Sequence, residues 1–170
     1  MRFINLILIL LSIGLFSCEK TEDYLYIPEI KFVSLEQTNG QDDLGNEVSI
    51  VKVRFSFIDG DGDLGLSPSD TIGDFAPGKD FYYNLLFQYY EKKDGQFVQN
   101  ESVINSFRFQ NISKVQTANK ALKGDMIAEL IFSKSSEINY ADTSKNTLFI
   151  YDRALNKSNI IETSEFYLNK

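Results

Sequence analysis

The sequence predicts an all-β fold, an antiparallel β-sandwich of two sheets with about seven strands. Several segments alternate apolar and polar residues with the period of two expected of half-buried strands, and turns rich in Asp and Gly separate them. No segment carries a sustained helical stripe. The 14 Phe and 9 Tyr suit sheet faces and a packed core. A small barrel is the competing all-β architecture.

The predicted strands follow one another from residue 28 onward. The clearest of them is 48–58. Val51 and every second residue after it lie on one face, and Lys52 and Arg54 lie on the other, as in a strand with one solvated side. Asp94-Gly95 is typical of a tight hairpin turn. In order, the predicted strands are PEIKFVSLEQ (28–37), VSIVKVRFSFI (48–58), the two arms of FYYNLLFQYYEKKDGQFVQ (81–99), SFRFQNI (106–112), MIAELIFS (126–133), TLFIYD (147–152) and NIIETSEFYL (159–168).

The first residues, MRFINLILILLSIGLFSC, are typical of a bacterial export signal. Arg2 supplies the positive end, and the apolar run that follows is shorter than the roughly 20 residues of a transmembrane helix. The end of this run, LFSC, resembles the lipobox of bacterial lipoproteins, and the resemblance implies a covalent lipid on Cys18. Several acyl chains would hold the protein on a membrane durably. The alternative is an ordinary secretory signal followed by an incidental cysteine.

These features divide the chain into a lipoprotein signal peptide (1–17), a lipidated N-terminus with a tether (18–27) and a β-sandwich domain (28–170). The tether begins with CEKTEDYLY, which is polar and acidic and resembles the export signals of Bacteroidota lipoproteins that reach the cell surface. We therefore expect the protein at the outer membrane, with its domain facing either the periplasm or the cell surface.

The composition excludes several classes of function. The chain has no histidine and a single cysteine, so with Cys18 lipidated it offers no imidazole or thiol for a catalytic triad or a zinc site. Removal of the signal peptide takes Arg2 with it and changes the formal net charge from −7 to −8. An acidic surface repels phosphate backbones, so nucleic acid is not an expected partner.

The segment DGDGDLGLSPSD (59–70) directly follows the second predicted strand. Asp59, Asp61 and Asp63 alternate with glycines, a spacing at which successive carboxylates converge on one hard cation such as calcium. Asp70 falls where a helical calcium loop places its last ligand, but the sixth position lacks the required glycine and the flanks are strands. A helix–loop–helix calcium site is thereby excluded. The alternative is a metal-free turn, because Asp and Gly are also the preferred residues of tight turns.

The closing segment IYDRALNKSN (150–159) resembles the penultimate strand and following loop of fibronectin type III-like and bacterial immunoglobulin-like domains, where an Ala-x-Asn tripeptide ends the strand. The chain as a whole, with its lipobox, DGDGDLG and DRALNKSNIIET, resembles a group of small Bacteroidota outer-membrane lipoproteins of unassigned function. The resemblance implies an immunoglobulin-like or fibronectin type III-like fold and an envelope location, and it carries no activity.

A second acidic position adds to the aspartate segment. In a fibronectin-like order, Asp59 would end the second strand and Asp152 the sixth, in opposing sheets and at the same end of the sandwich. Asn156 lies in the same group of loops and is a further candidate oxygen ligand for calcium. Carboxylates gathered there repel one another unless a positive charge intervenes, which favours a bound calcium ion. Arg153 and Lys157 are the alternative source of positive charge.

We expect a non-catalytic, lipid-anchored envelope protein that acts as a scaffold or binds a protein or glycan, because no nucleophile and base are marked out. An alternative is an accessory glycan-binding lipoprotein of a nutrient-uptake system, in which tyrosines would stack on sugars; a third is a hydrolase built on paired aspartates. Thr71, in Asp-Thr-Ile, matches a tripeptide that resembles Bacteroidota O-glycosylation acceptors. The tyrosines proposed to stack on sugars are Tyr82, Tyr83, Tyr89 and Tyr90.

Overall fold

The computed structural model describes residues 24–112, 121–134 and 140–168, and the predicted signal peptide and Cys18 lie outside these ranges. Within them the chain forms eight strands in two antiparallel sheets, which confirms the predicted β-sandwich. The strands are β1 (Glu29–Gln41), β2 (Glu47–Asp59), β3 (Leu85–Lys93), β4 (Gln96–Phe107), β5 (Leu122–Ser133), β6 (Thr143–Ile150), β7 (Ile161–Glu162) and β8 (Phe166–Tyr167).

The first sheet has the order β1-β2-β5, and the second has the order β4-β3-β6 with β7 and β8 both paired to β6. Because β7 and β8 pair with successive parts of β6, they form one interrupted edge strand, and the sandwich has seven strand positions. The fourth strand joins the third in the second sheet, whereas in constant-type immunoglobulin domains it lies in the first. The second and sixth strands lie in opposing sheets, as expected from the sequence.

The core fills the space between the two sheets. The central strand β2 contributes a fully buried row at every second residue, and β3 and β6 contribute the facing rows. Aromatic rings join the two sheets: Tyr89 of β3 lies 5.7 Å from Phe132 of β5, and Phe132 lies 5.6 Å from Phe166 of β8, measured between ring centroids. The buried Tyr89 hydroxyl is satisfied by the Ser144 hydroxyl at 2.6 Å. Aromatic packing thus holds the two sheets together.

Several element boundaries differ from the prediction: β5 and β6 each begin four residues earlier, and the predicted strand 159–168 is the pair β7 and β8. The predicted loop 38–47 is shorter, because β1 continues to Gln41 and the turn occupies only residues 42–46. The segments 96–99 and 106–112 were predicted as separate strands, but the single strand β4 contains all of the first segment and only residues 106–107 of the second. In β4 the pairing with β3 shifts between Gln88 and Tyr90, so residues 100–103 interrupt the alternation that the sequence prediction followed.

None of the described residues belongs to a helix long and apolar enough to cross a membrane. The long connection between β2 and β3 contains a short 3-10 helix, Gly73–Phe75. This connection, together with the segments that follow β4 and β6, lies at one end of the sandwich, and the hairpin turns 42–46 and 94–95 lie at the other.

Candidate metal centre

Two strands from opposite sheets bring acidic side chains to the same end of the core. Asp59 is the last residue of β2 and continues its inward row. Asp152 follows β6 by two residues and continues the inward row of Leu148 and Ile150. A backbone bridge between Leu64 and Asp152 ties the β2–β3 connection directly to this point. The expectation that Asp59 and Asp152 meet at one end is therefore confirmed.

Three carboxylates converge at this end. Asp59, Asp63 and Asp152 each offer one oxygen, and these oxygens all lie within 4.8 Å of one another. Two oxygens on opposite sides of a calcium ion, each about 2.4 Å from it, are separated by about 4.8 Å, so the spread suits a single ion. Asp61 adds a fourth negative charge close enough to affect the other three. We call these four residues the aspartate group, and their end of the sandwich the aspartate end.

Several oxygens of the aspartate group are buried without a hydrogen-bond partner. Both carboxylate oxygens of Asp59 are in this state, as are Oδ1 of Asp61 and Oδ1 of Asp63. Asp59 itself is completely inaccessible to solvent. A buried polar group without a partner costs free energy, and a buried charge costs more, so the arrangement calls for a proton or a cation.

Backbone and side-chain donors hold Oδ2 of Asp63 and both oxygens of Asp152. The Ala154 N–H donates to Oδ2 of Asp63 at 3.1 Å. The Asn156 N–H donates to Oδ1 of Asp152 at 2.7 Å, and the Asn156 side-chain amide donates to Oδ2 at 2.9 Å. Asn156, predicted as a possible metal ligand, therefore orients Asp152 by donating to both carboxylate oxygens of Asp152. Carboxylates keep further lone pairs for a metal when they accept such bonds.

Burial raises the pKa of Asp59 to about 7, and the negative charges of Asp61, Asp63 and Asp152 act in the same direction. Burial, then Asp152 and Asp61, raise the pKa of Asp63 to about 6. The pKa of Asp152 is also raised by burial, although its bonds from Asn156 oppose the shift. Removal from water and mutual repulsion both disfavour the ionised forms. A bound cation would reverse that preference.

Asp70 does not join the aspartate group. Arg153 donates to its two carboxylate oxygens at 2.5 and 3.3 Å, and the Ser67 N–H donates at 2.7 Å. Partial burial acts to raise the pKa of Asp70, but these bonds hold it below its usual value. Arg153 is thus committed to Asp70, and the Lys157 ammonium lies 3.8 Å from the ring centre of Phe149. These two cations, the alternative source of neutralising charge, leave the buried oxygens of Asp59 unpartnered.

Arg108 was not singled out from the sequence, yet it organises the connection that carries the aspartates. Its guanidinium donates to the backbone oxygens of Asp70 at 2.6 Å, Tyr82 at 2.8 Å and Ser67 at 3.2 Å. Gly65, with φ +89°, lets the same connection approach the backbone of residues 110–111, where a side chain would collide. The sequence showed only an arginine between two phenylalanines, a pattern that predicts a strand and names no partner.

The candidate sugar-stacking tyrosines do not share one surface. Tyr89 is buried in the core, while Tyr90, its neighbour on β3, points to the other face of the sheet. Tyr82 and Tyr83 lie before β3, where their rings contact each other edge to face, and the Arg108 guanidinium lies 5.1 Å from the ring centre of Tyr82. Thr71 is exposed on the β2–β3 connection, so its hydroxyl is accessible to the predicted glycosylation.

Comparison with protein-family models, with curated proteins and with solved structures finds no match to this chain. The chemistry of the site therefore follows from the donors themselves. The atoms that could ligate a metal are carboxylate oxygens, and the chain contains no histidine. Hard oxygen ligands favour Ca²⁺ or Mg²⁺ over the softer transition metals.

Proposed function

We propose that this protein is a non-catalytic, lipid-anchored module of the bacterial outer membrane, in which a calcium ion braces the aspartate end of the β-sandwich. The observation that carries the calcium site is Asp59, whose carboxylate is fully buried with both oxygens unpartnered beside two further carboxylates. A calcium ion would supply positive charge at Asp59, because Arg153 binds Asp70 and Lys157 lies over the ring of Phe149.

The positions of the ligands support a structural role for the ion. Asp59 belongs to one sheet, Asp152 follows a strand of the other, and Asp61 and Asp63 lie on the connection between them. An ion bound by all of them would link the two sheets and the longest connection at one point. Calcium accepts six to eight oxygens in flexible geometry and suits such a site better than magnesium, which demands an octahedron and gives up its water reluctantly.

The burial of Asp59 and Asp152 argues against hydrolysis. A general acid and a nucleophile must both reach the bond that is cleaved. Asp59 and Asp152 are enclosed by the core, so a sugar or peptide substrate has no access to their oxygens. A structural ion needs no such access, and the burial that blocks a substrate strengthens the electrostatic attraction between the ion and its ligands.

The envelope location rests on the lipobox-like LFSC and the acidic tether after Cys18. In this location the module would present its exposed surfaces to a protein or glycan partner. The intact mass of the mature protein, purified from membranes, tests the anchor. We expect a first residue at position 18 that carries covalent acyl chains, and a water-soluble chain with a free thiol would contradict it.

Thermal unfolding with and without calcium tests the brace. A ligand present at 100 times its dissociation constant stabilises the folded state by about 2.7 kcal/mol, which for a domain of this size raises the midpoint by about 5–10 °C. We expect calcium to raise the midpoint relative to chelator, and magnesium at the same concentration to raise it less. No difference between millimolar calcium and chelator would contradict the site.

Two matched substitutions locate the ion. Asp59→Asn removes a buried ligand with little change in shape, so we expect the calcium response to disappear while the protein in chelator is at least as stable as the wild type. Asp70→Asn changes a carboxylate of the same connection that Arg153 already occupies, and we expect the calcium response to persist. Loss of the response in Asp70→Asn but not in Asp59→Asn would place the ion elsewhere.

A further inference from the structure

The chain approaches the sandwich at the aspartate end. The Gly60 N–H donates to the Leu25 carbonyl oxygen at 3.0 Å. Gly60 lies so close to the segment before β1 that a side chain there would collide with the carbonyl oxygens of Tyr24 and Leu25. The Lys123 ammonium lies 5.8 Å from the ring centre of Tyr24. These contacts fix residues 24–25 against the start of the aspartate segment.

Exposed apolar side chains lie on this segment and on the β2–β3 connection. Leu25 is 79 % exposed, Tyr26 67 % and Ile27 also more than half. On the β2–β3 connection at the same end, Ile72 is 80 % exposed. Leaving three consecutive apolar side chains in water is unfavourable, and a run of this kind marks a contact surface.

The position of the predicted anchor identifies what covers this surface. Tyr24 follows Cys18 by six positions, and a chain of six residues spans at most about 20 Å when fully extended. If Cys18 carries a lipid, as the proposed function requires, this short segment holds the aspartate end close to the bilayer. Tyrosine and aliphatic side chains are favourable at the boundary between headgroups and acyl chains.

We propose that Leu25–Ile27 and Ile72 seat the aspartate end of the sandwich on the lipid surface, so that the turns 42–46 and 94–95 face away from the membrane. The contact is apolar, because an acidic protein is not drawn to anionic headgroups. The seat therefore persists in high salt and on vesicles of neutral phosphatidylcholine. It leaves the far end of the sandwich as the surface available to a partner.

Tryptophan fluorescence tests the seat, because the chain contains no tryptophan of its own. Three single reporters are made in the full-length, lipidated protein: Tyr26→Trp in the segment before β1, Ile72→Trp on the β2–β3 connection, and Tyr167→Trp on β8 as the control. Tyr167 is 55 % exposed and lies toward the opposite end. Each protein is reconstituted in phosphatidylcholine vesicles with or without bromine on the acyl chains, which quenches nearby indoles.

We expect brominated lipid to reduce the emission of the reporters at positions 26 and 72 at least twofold and to leave the reporter at position 167 unchanged. Quenching at position 26 alone would show a tether that enters the bilayer without the domain, and it would overturn the seat. Equal quenching at all three positions, or none at any, would overturn it as well. The mass of each sample separates the two proposals: an acylated protein without quenching contradicts only the seat, whereas a protein without acyl chains contradicts the anchor and the seat together.

Discussion

Two turns of the protein share the pattern Asp-x-x-x-Asn and nearly the same hydrogen bonds. In the turn 42–46 the Asn46 N–H and side-chain amide donate to the two oxygens of Asp42 at 2.8 and 2.9 Å. In the turn 152–156 the equivalent distances are 2.7 and 2.9 Å. In both turns the fourth residue has a left-handed backbone, with φ of 82° at Gly45 and 67° at Leu155.

The two turns differ in their surroundings. Asp42 lies at the surface, and its bonds from Asn46 lower its pKa. Asp152 is buried beside three other aspartates, and burial raises its pKa despite equivalent bonds from Asn156. The N–H of the third residue differs as well: Leu44 donates to Asp42 of its own turn, whereas Ala154 donates to Asp63 on another connection and also acts on Asp152. A local pattern therefore determines the shape of the turn, and its neighbours determine the chemistry.

The largest difference between the turns is expected from removing each aspartate. In calcium, Asp152→Ala removes a ligand and leaves the Asn156 donors unpaired, and we expect a loss of about 3 kcal/mol in the free energy of unfolding. Asp42→Ala loses bonds that water replaces, so its loss should be smaller. Urea unfolding at neutral pH measures both.

Chelation sharpens this prediction. Without calcium, Asp152→Ala also relieves repulsion within the aspartate group, so its cost should shrink, while the cost of Asp42→Ala should stay the same. Equal costs for the two substitutions in calcium would show that the buried turn has no role beyond its shape.

The pH dependence of stability should have opposite signs at the two ends of the protein. In chelator, Asp59 has a pKa of about 7 in the folded state and its ordinary value of 3.8 in the unfolded chain. Between these two pH values the folded state therefore holds a proton that the unfolded chain has released. The stabilisation is complete below about pH 4 and is lost as the pH rises to about 7, at about 1.4 kcal/mol per pH unit for one proton. Asp59→Asn should reduce this slope, and Asp63, whose pKa is raised to about 6, should keep part of it.

Asp42 contributes in the other direction. Because its folded pKa is lowered, its contribution is present above the ordinary value of 3.8 and is lost as the pH falls through the lower folded value. Asp42→Asn should therefore lower stability above about pH 4 and have little effect at lower pH, where the wild-type carboxyl is protonated as well. Urea midpoints measured from pH 3 to pH 8 in chelator check both variants, and a wild-type stability that rises from pH 5 to pH 7 would contradict the burial of Asp59.

The smallest effect is expected from exchanging the fourth residues of the two turns. Gly45→Leu forces a branched side chain into a left-handed backbone, and we expect it to cost about 1–2 kcal/mol. Leu155→Gly relieves the same strain, so its effect should lie within about 1 kcal/mol of zero once the lost apolar contacts and the greater freedom of the unfolded chain are included. Urea unfolding checks the pair, and a neutral Gly45→Leu would show that this turn changes conformation freely.

Much of the architecture was predictable because strand alternation is a local signal. The period-two pattern of 48–58 placed the inward row of β2 correctly and carried it to Asp59. Strand alternation failed at β4, where a bulge breaks it. The spacing of a helical calcium loop wrongly suggested Asp70 as a ligand. In the structure Arg153, 83 residues further along the chain, binds Asp70. No spacing within the segment 59–70 reveals that pairing.

The sequence by itself determined the all-β class, the inward position of Asp59 and Asp152 and the shape of both Asp-x-x-x-Asn turns, because these depend on backbone periodicity and on bonds between residues close in the chain. Only the tertiary structure decided which carboxylates meet, which cations reach them and which oxygens remain buried without a partner. Those outcomes depend on distances between strands of different sheets and on exclusion of water, and Coulomb interactions and desolvation act through space rather than along the chain.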